Sequence, residues 1–188
     1  MENLKATGII RRVDDLGRVV IPKEIRRSLR IKEGDALEIF VRNNEVVYRK
    51  YNRLSHFSDI ADSYMSTLGE ETGHVCLVVD DCSVVATSDK HKKYYDKTIG
   101  LFLDDVMKSK SLFFNFKPET YKMFTDPRGD DEYLHCNTIV VAPIKDEFEV
   151  HGAVIMLSLE GDKPLSEFDK VLTKMAGDFL SKQLGDPS

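Results

Sequence analysis

The sequence predicts two domains. Residues 1–53 form a small β-rich unit with one short helix, and residues 54–188 form a larger α+β domain, a mostly antiparallel central sheet flanked by helices. Three observations carry this reading. Nine of the ten arginines lie within the first 53 residues, and only Arg128 lies beyond. Residues 1–53 hold 13 Lys+Arg against 8 Asp+Glu, whereas residues 54–188 hold 14 against 24, so the net charge of −5 joins a basic segment to an acidic one. At Leu54 the patterning also changes, from short β-branched runs to long helical stripes and apolar strands.

Thr7–Val13 and Arg18–Ile21 read as strands separated by Asp14-Asp15-Leu16-Gly17, a turn in which Gly17 supplies a positive φ. Pro22 suits the first turn of a helix running to about Arg30. In that helix Ile25 and Leu29 form one apolar edge. Lys23, Arg26, Arg27 and Arg30 recur at helical spacing on the other face. Leu37, Ile39 and Val41 alternate with Glu38, Phe40 and Arg42 as a strand, and Asn43-Asn44 turns the chain into a second strand, Glu45–Arg49. A unit this small buries too little apolar surface to stand alone and contains no disulfide or metal spacing, so it is expected to dimerise by interleaving strands.

In the second domain Leu54, Phe57, Ile60, Ala61, Tyr64 and Leu68 predict a helix that ends at Gly69 or Gly73. Two apolar strands follow, His74–Val79 and Ser83–Thr87, about Asp80-Asp81. Thr98 to about Lys108 reads as a helix. Residues 110–135 mix aromatics with Pro118, Pro127 and Gly129 and yield no assignment. Asn137–Ile144 and Gly152–Leu159 are strong strands. Ser166 and Asp169 form a near capping box before a last helix with the stripe Phe168, Val171, Leu172, Met175, Phe179 and Leu180. Both helical stripes suit core packing, and both also suit pairing of subunits. Tyr94, Tyr95, Phe102, Phe113, Phe114, Phe116 and Tyr121 pack in the core or line a small-molecule pocket.

No apolar run approaches the ~18 residues that span a bilayer, and Met1–Lys5 lacks the apolar core of a secretory signal. The three cysteines, Cys76, Cys82 and Cys136, follow no disulfide framework, which suits a reducing, cytoplasmic compartment. His74-x-Cys76 and His135-Cys136 lack the second pair a zinc site needs, and Asp14-Asp15 has no further ligand at suitable spacing. No nucleophile, phosphate-loop or metal motif occurs. The expectation is a non-enzyme without cofactor or metal.

The run Thr7-Gly8-Ile9-Ile10-Arg11-Arg12-Val13-Asp14-Asp15-Leu16-Gly17-Arg18-Val19-Val20-Ile21-Pro22, with Glu24-Ile25-Arg26-Arg27 and Gly34-Asp35-Ala36-Leu37-Glu38-Ile39, resembles the AbrB-type transition-state regulators. Val75–Asp80, Val141-Ala142-Pro143-Ile144 and Gly152-Ala153-Val154-Ile155 resemble strands of GAF domains. The whole layout resembles the stage V sporulation protein T family of endospore-forming bacteria. The resemblance implies a swapped-hairpin β-barrel dimer that binds double-stranded DNA with loose, A/T-tolerant preference, joined to a GAF-like domain that senses a small-molecule effector or an assembly state. It places DNA contact on Arg11, Arg12, Arg18, Arg26 and Arg27. Spacing alone adds Lys5, Lys23 and Arg30. Further association of two dimers into a tetramer through the C-terminal domain, and a nucleoid-associated cytoplasmic location, complete the expectation. The competing reading is an antitoxin of the same N-terminal fold that binds a partner protein. Tails of such antitoxins are extended, whereas residues 54–188 have a folded domain's apolar content.

Overall fold

A computed structural model describes residues 7–126 and 129–185, with the side chain of Ser55 left aside. The chain divides into two compact units, Met1–Tyr51 and Asn52–Ser188.

In the first unit Thr7–Pro22 is extended around a turn at Asp14–Gly17, with Gly17 at φ 76° as the turn requires. The turn is closed by the Asp14 amide donating to the Arg18 carbonyl and the Gly17 amide donating to that of Asp14. Neither flanking segment forms a ladder among the described residues, unlike the two strands expected. A ladder needs a neighbouring strand, and the described residues of this chain supply none beside them. Pro22 is the N-cap of helix α1, Lys23–Ser28, instead of lying inside it. The helix also ends earlier than predicted. Arg30 adopts φ 52°, its amide donates to Arg27 O, and the Ile31 amide donates to Arg26 O. These two bonds are the Schellman closure, with an arginine where glycine is usual.

Strands β1 (Leu37–Arg42) and β2 (Glu45–Lys50) form the expected antiparallel hairpin, with Asn43 left-handed in its two-residue loop. The Asp35 carboxylate accepts from the Lys32 amide and pairs with Lys50 Nζ at 3.0 Å, while Lys50 also donates to the Arg30 carbonyl. One lysine thereby ties the hairpin to the end of α1. Burial raises the Asp35 pKa, but the Lys32 amide and the Lys50 ammonium together outweigh it and hold the group below its ordinary value.

The second unit begins with a 3-10 turn, Arg53–Phe57, and helix α2, Ser58–Thr72, which Gly73 caps in the left-handed region. Strands β3 (Val75–Asp80), β4 (Val84–Thr87), β6 (Phe113–Asn115), β9 (Thr138–Lys145) and β10 (Val150–Ser158) build an antiparallel sheet in the order β4-β3-β10-β9-β6. Strands β5 (Thr98–Ile99), β7 (Glu119–Thr125) and β8 (Asp131–Cys136) make a second sheet, β5-β7-β8. The stretch that resists assignment from sequence, residues 110–135, thus supplies three strands. Helix α3, Leu101–Ser109, packs on β7 and β10.

Successive side chains of β3, β9 and β10 enter opposite cores. Leu77, Val141 and Ile155 join Leu103, Met123 and Phe124 on one face. Cys76, Val140 and Met156 join Met65, Ala176 and Leu180 on the other. There α2 and α4 (Glu167–Gly185) lie side by side, with Tyr64 and Phe179 stacked at 5.6 Å. Ser166 and Asp169 form the capping box of α4. Ser166 Oγ accepts from the Asp169 amide, and the Asp169 carboxylate accepts from the Ser166 amide at 2.8 Å.

This packing has measurable consequences. A Cβ on Gly152 would lie 2.1 Å from the Val79 carbonyl oxygen. Gly152→Ala is expected to cost about 1–3 kcal/mol or more, read as a lower urea midpoint. His74 is buried, with Nδ1 unbonded and Nε2 3.9 Å from Asp169. Burial lowers its pKa, against the pull of Asp169, and burial lowers that of His91 likewise. The fold therefore favours neutral imidazole, while the unfolded chain takes up the proton. Stability should decline as pH falls below the unfolded value of about 6.5. His74→Gln should remove part of that slope in denaturation curves collected between about pH 7 and 5.

Candidate nucleic-acid interface

The arginine loop is built by one carboxylate. Asp14 Oδ1 accepts from the amides of Leu16 (3.0 Å) and Arg18 (2.8 Å), and Oδ2 accepts from Arg18 Nε at 2.8 Å. The Arg18 backbone and side-chain bonds, in that order, hold the Asp14 pKa below its ordinary value. This settles the turn role of Asp14 and fixes Arg18 by its inner nitrogen. The outer edge of a guanidinium carries four of its five N–H donors, and the Arg18 side chain is 69% exposed.

Arg11 and Arg12 stand on the extended segment before the turn, and both are exposed; Arg11 Nη1 donates only to its neighbour's carbonyl, Ile10 O. Lys23, Arg26 and Arg27 project from α1, a helix that buries no residue. Among the described residues, no carboxylate lies within ion-pair distance of Arg11, Arg12, Lys23, Arg26 or Arg27. The second unit behaves differently. There Lys92, Lys97, Lys108, Lys122, Lys170 and Lys174 each meet an aspartate or glutamate. These six lysines are neutralised locally, whereas the cations of the arginine segment are left open.

The structure moves Arg30 off the helical stripe. It lies past the helix end in the Schellman position and is partly buried, so it does not continue the face of Arg26 and Arg27. The 3.6-residue periodicity that placed it there cannot register a helix ending two residues earlier. Lys5 lies outside the described residues. Glu24, three residues before Arg27 on α1, forms no ion pair among the described residues.

Around these cations the unit leaves its apolar side chains uncovered. Ile10 is 87% exposed, Leu16 70%, Val20 72% and Val41 77%.

Two of the three thiols in the second unit are sealed in its cores. Cys76 and Cys136 are buried, and burial pushes both thiols up to about 12. Asp80, Asp81 and Cys82 bring three donor atoms within 4.8 Å of one another. Asp80 is nevertheless committed to the amides of Cys82 and Ser83 and to the Asn52 side chain. No helix among the described residues is long and apolar enough to cross a membrane.

Residues 56–185 match the family described as stage V sporulation protein T C-terminal, transcription factor. Over 183 residues the chain is 40% identical to stage V sporulation protein T of Bacillus subtilis, covering 96% of this chain and 99% of that one. The chain belongs to the stage V sporulation protein T family. The relationship extends beyond the C-terminal unit. Residues 10–53 match the family of MazE antitoxins, described as antidote-toxin recognition. A segment of 48 residues is 58% identical to the transition state regulatory protein AbrB of B. subtilis, covering 26% of this chain and 50% of that one. The GAF domain of an Acinetobacter phosphoenolpyruvate-protein phosphotransferase shares the C-terminal fold, with a TM-score of 0.52 and 12% identity over 69% of this chain and 82% of that one. The stage V sporulation protein T family is thus one of transcription factors that join an AbrB-like unit to a GAF-like one.

The Asp14 geometry can be tested directly. Asp14→Ala removes three acceptor contacts, so the Leu16 and Arg18 amides should exchange several-fold faster with deuterium. Asp14→Asn keeps the Oδ1 acceptor and should preserve most of the protection.

Proposed function

We propose that this regulator of sporulation genes grips double-stranded DNA through Arg11, Arg12, Arg18, Lys23, Arg26 and Arg27. The observation that carries the proposal is the group of exposed, unpaired cations beside a loop whose arginine is oriented by Asp14. Guanidinium groups with no internal partner are free to bind phosphates or guanine edges bidentately, and neutralising phosphates releases counterions. Lys5 and Arg30 are secondary contributors, Arg30 because part of its surface is withdrawn.

The DNA reader is a homodimer in this proposal. The exposed Ile10, Val20 and Val41 need a cover, and the unpaired segments around Asp14–Gly17 need strands to pair with. A second copy meets both requirements, and the relationship to AbrB supports it. The C-terminal unit supplies a second contact. Phe168, Val171 and Met175 form an exposed stripe along α4, with Phe179 and, on α2, Ile60 beside it. A stripe of this kind pairs helices of two subunits, and two dimers would then make a tetramer that works at the nucleoid. No catalytic role enters this reading.

The match to MazE antitoxins keeps a second reading, in which the same surface binds a partner protein. DNA titrations with the full chain separate the two. Arg26→Ala/Arg27→Ala should fold normally and lose about 10²-fold or more in DNA affinity. With two copies per dimer, the slope of log K against log salt should fall by about 3–4. Retained tight binding by the double variant at moderate salt overturns the DNA reading. Co-purification of a stoichiometric partner protein, with no DNA binding by the parent chain, favours the antitoxin one.

A further inference from the structure

One feature of the C-terminal unit that the DNA reading leaves unused is a cavity of about 380 Å³ lined by Asp62, Ser66, Thr87, Asp89, Lys92 and Tyr95. Its volume lies within the ~300–1,000 Å³ of small-molecule sites. Asp62 and Ser66 are four residues apart on α2 and share a face. Thr87 ends β4, and the other three residues come from the 3-10 segment Asp89–Tyr94 and the residue after it. Of the seven aromatics whose role the sequence leaves open, Tyr95 alone lines this cavity. Tyr94 stacks on Phe124 in the core, Phe102 packs on Phe113 and Tyr121, and Phe114 and Phe116 sit beneath Lys170.

The bonding state of each lining group defines the ligand. Lys92 Nζ lies 3.0 Å from Asp89 Oδ1, so these two charges cancel. The Thr87 hydroxyl donates to the carbonyls of Ser88 and His91 and is committed. Asp62 receives one long bond, from the Thr87 amide to Oδ1 at 3.3 Å. Among the described residues, Asp62 Oδ2 and the Ser66 hydroxyl have no partner. The cavity therefore presents one half-buried, unneutralised carboxylate, one free hydroxyl and the ring of Tyr95, which is 56% exposed.

We propose that this cavity binds a small primary amine in its ammonium form. An ammonium offers three donors and no acceptor, which suits Asp62 Oδ2 and Ser66 Oγ together. The Tyr95 ring adds a face for the cation. A carboxylate ligand would meet Asp62 with like charge, and a neutral alcohol could donate one hydrogen bond but would leave the desolvated charge without a counter-charge. The occupied cavity ties α2 to the segment after β4. The same helix carries Ile60 and Tyr64, so an amine acts on an element of the proposed subunit contact.

The test uses the full-length protein and three probes of matched size at equal ionic strength near pH 7: n-butylamine, n-butanol and butyrate. n-Butylamine well above its Kd should raise the thermal midpoint by about 2–4 °C, and the other two should not. Asp62→Asn keeps an acceptor for the Thr87 amide and should abolish the response. Should that variant unfold, Ser66→Ala and Tyr95→Ala serve instead, and each should weaken amine binding several-fold in calorimetry. Equal stabilisation by butanol overturns the proposal in favour of plain apolar binding. A response that survives Asp62→Asn, or no amine response at tens of millimolar, overturns it outright. None of these readouts depends on DNA binding, so failure here leaves the DNA reading untouched.

Discussion

Strands β3, β9 and β10 are apolar on both faces, and that single constraint organises the C-terminal unit. A sheet with two apolar faces needs cover on both sides. The chain supplies α2 and α4 on one side and α3 with a small three-stranded sheet on the other. Covering both faces buries Leu103, Val106 and Met107 of α3, while α4 is long enough to keep a second stripe outside the core. The exposed Phe168, Val171 and Met175 are thus surplus to the core they flank. That surplus is what the proposed contact between subunits would cover.

The N-terminal unit lies at the opposite extreme. It has a helix with no buried residue and a hairpin in which only Leu37, Val47 and Lys50 are partly covered. What order it has comes from polar contacts: Asp14 at the loop, Asp35 and Lys50 between hairpin and helix, and the two amides that close α1. These contacts hold the shape of the cationic surface without neutralising most of it. Polar bonds of this exposed kind contribute little each to stability, so the unit's folding free energy depends on whatever covers Ile10, Val20 and Val41.

Legibility in the sequence follows the physics of each element. The hairpin at Asn43-Asn44, the stop at Gly73 and the box at Ser166 rest on local backbone chemistry, and each forms where the residues imply. Residues 110–135 are opaque for a related reason. Strand β7 carries Glu119, Thr120 and Lys122 on a partly exposed sheet, and β6 spans only three residues, so neither has a period to read. Periodicity misplaces Arg30 because a helix can end on a residue other than glycine. The Asn52 side chain, at the start of the second unit, reaches Asp80, 28 residues away, and no local pattern encodes such a contact. Among the residues proposed to meet DNA, Arg11, Arg12, Arg18, Arg26 and Arg27 are legible as charge and motif. The orienting part played by Asp14 requires coordinates. So does the cavity beside α2, whose lining residues are scattered from Asp62 to Tyr95.

The three cysteines give the molecule a built-in clock. Cys76 and Cys136 are sealed in separate cores with thiols that resist ionisation, whereas Cys82 sits half-exposed on the β3–β4 turn. An alkylating reagent applied to the native fold would find one sulfur quickly and two only as often as each core opens. Counting modified thiols against time therefore resolves the opening of one face of the sheet from that of the other, with no label introduced and no residue changed.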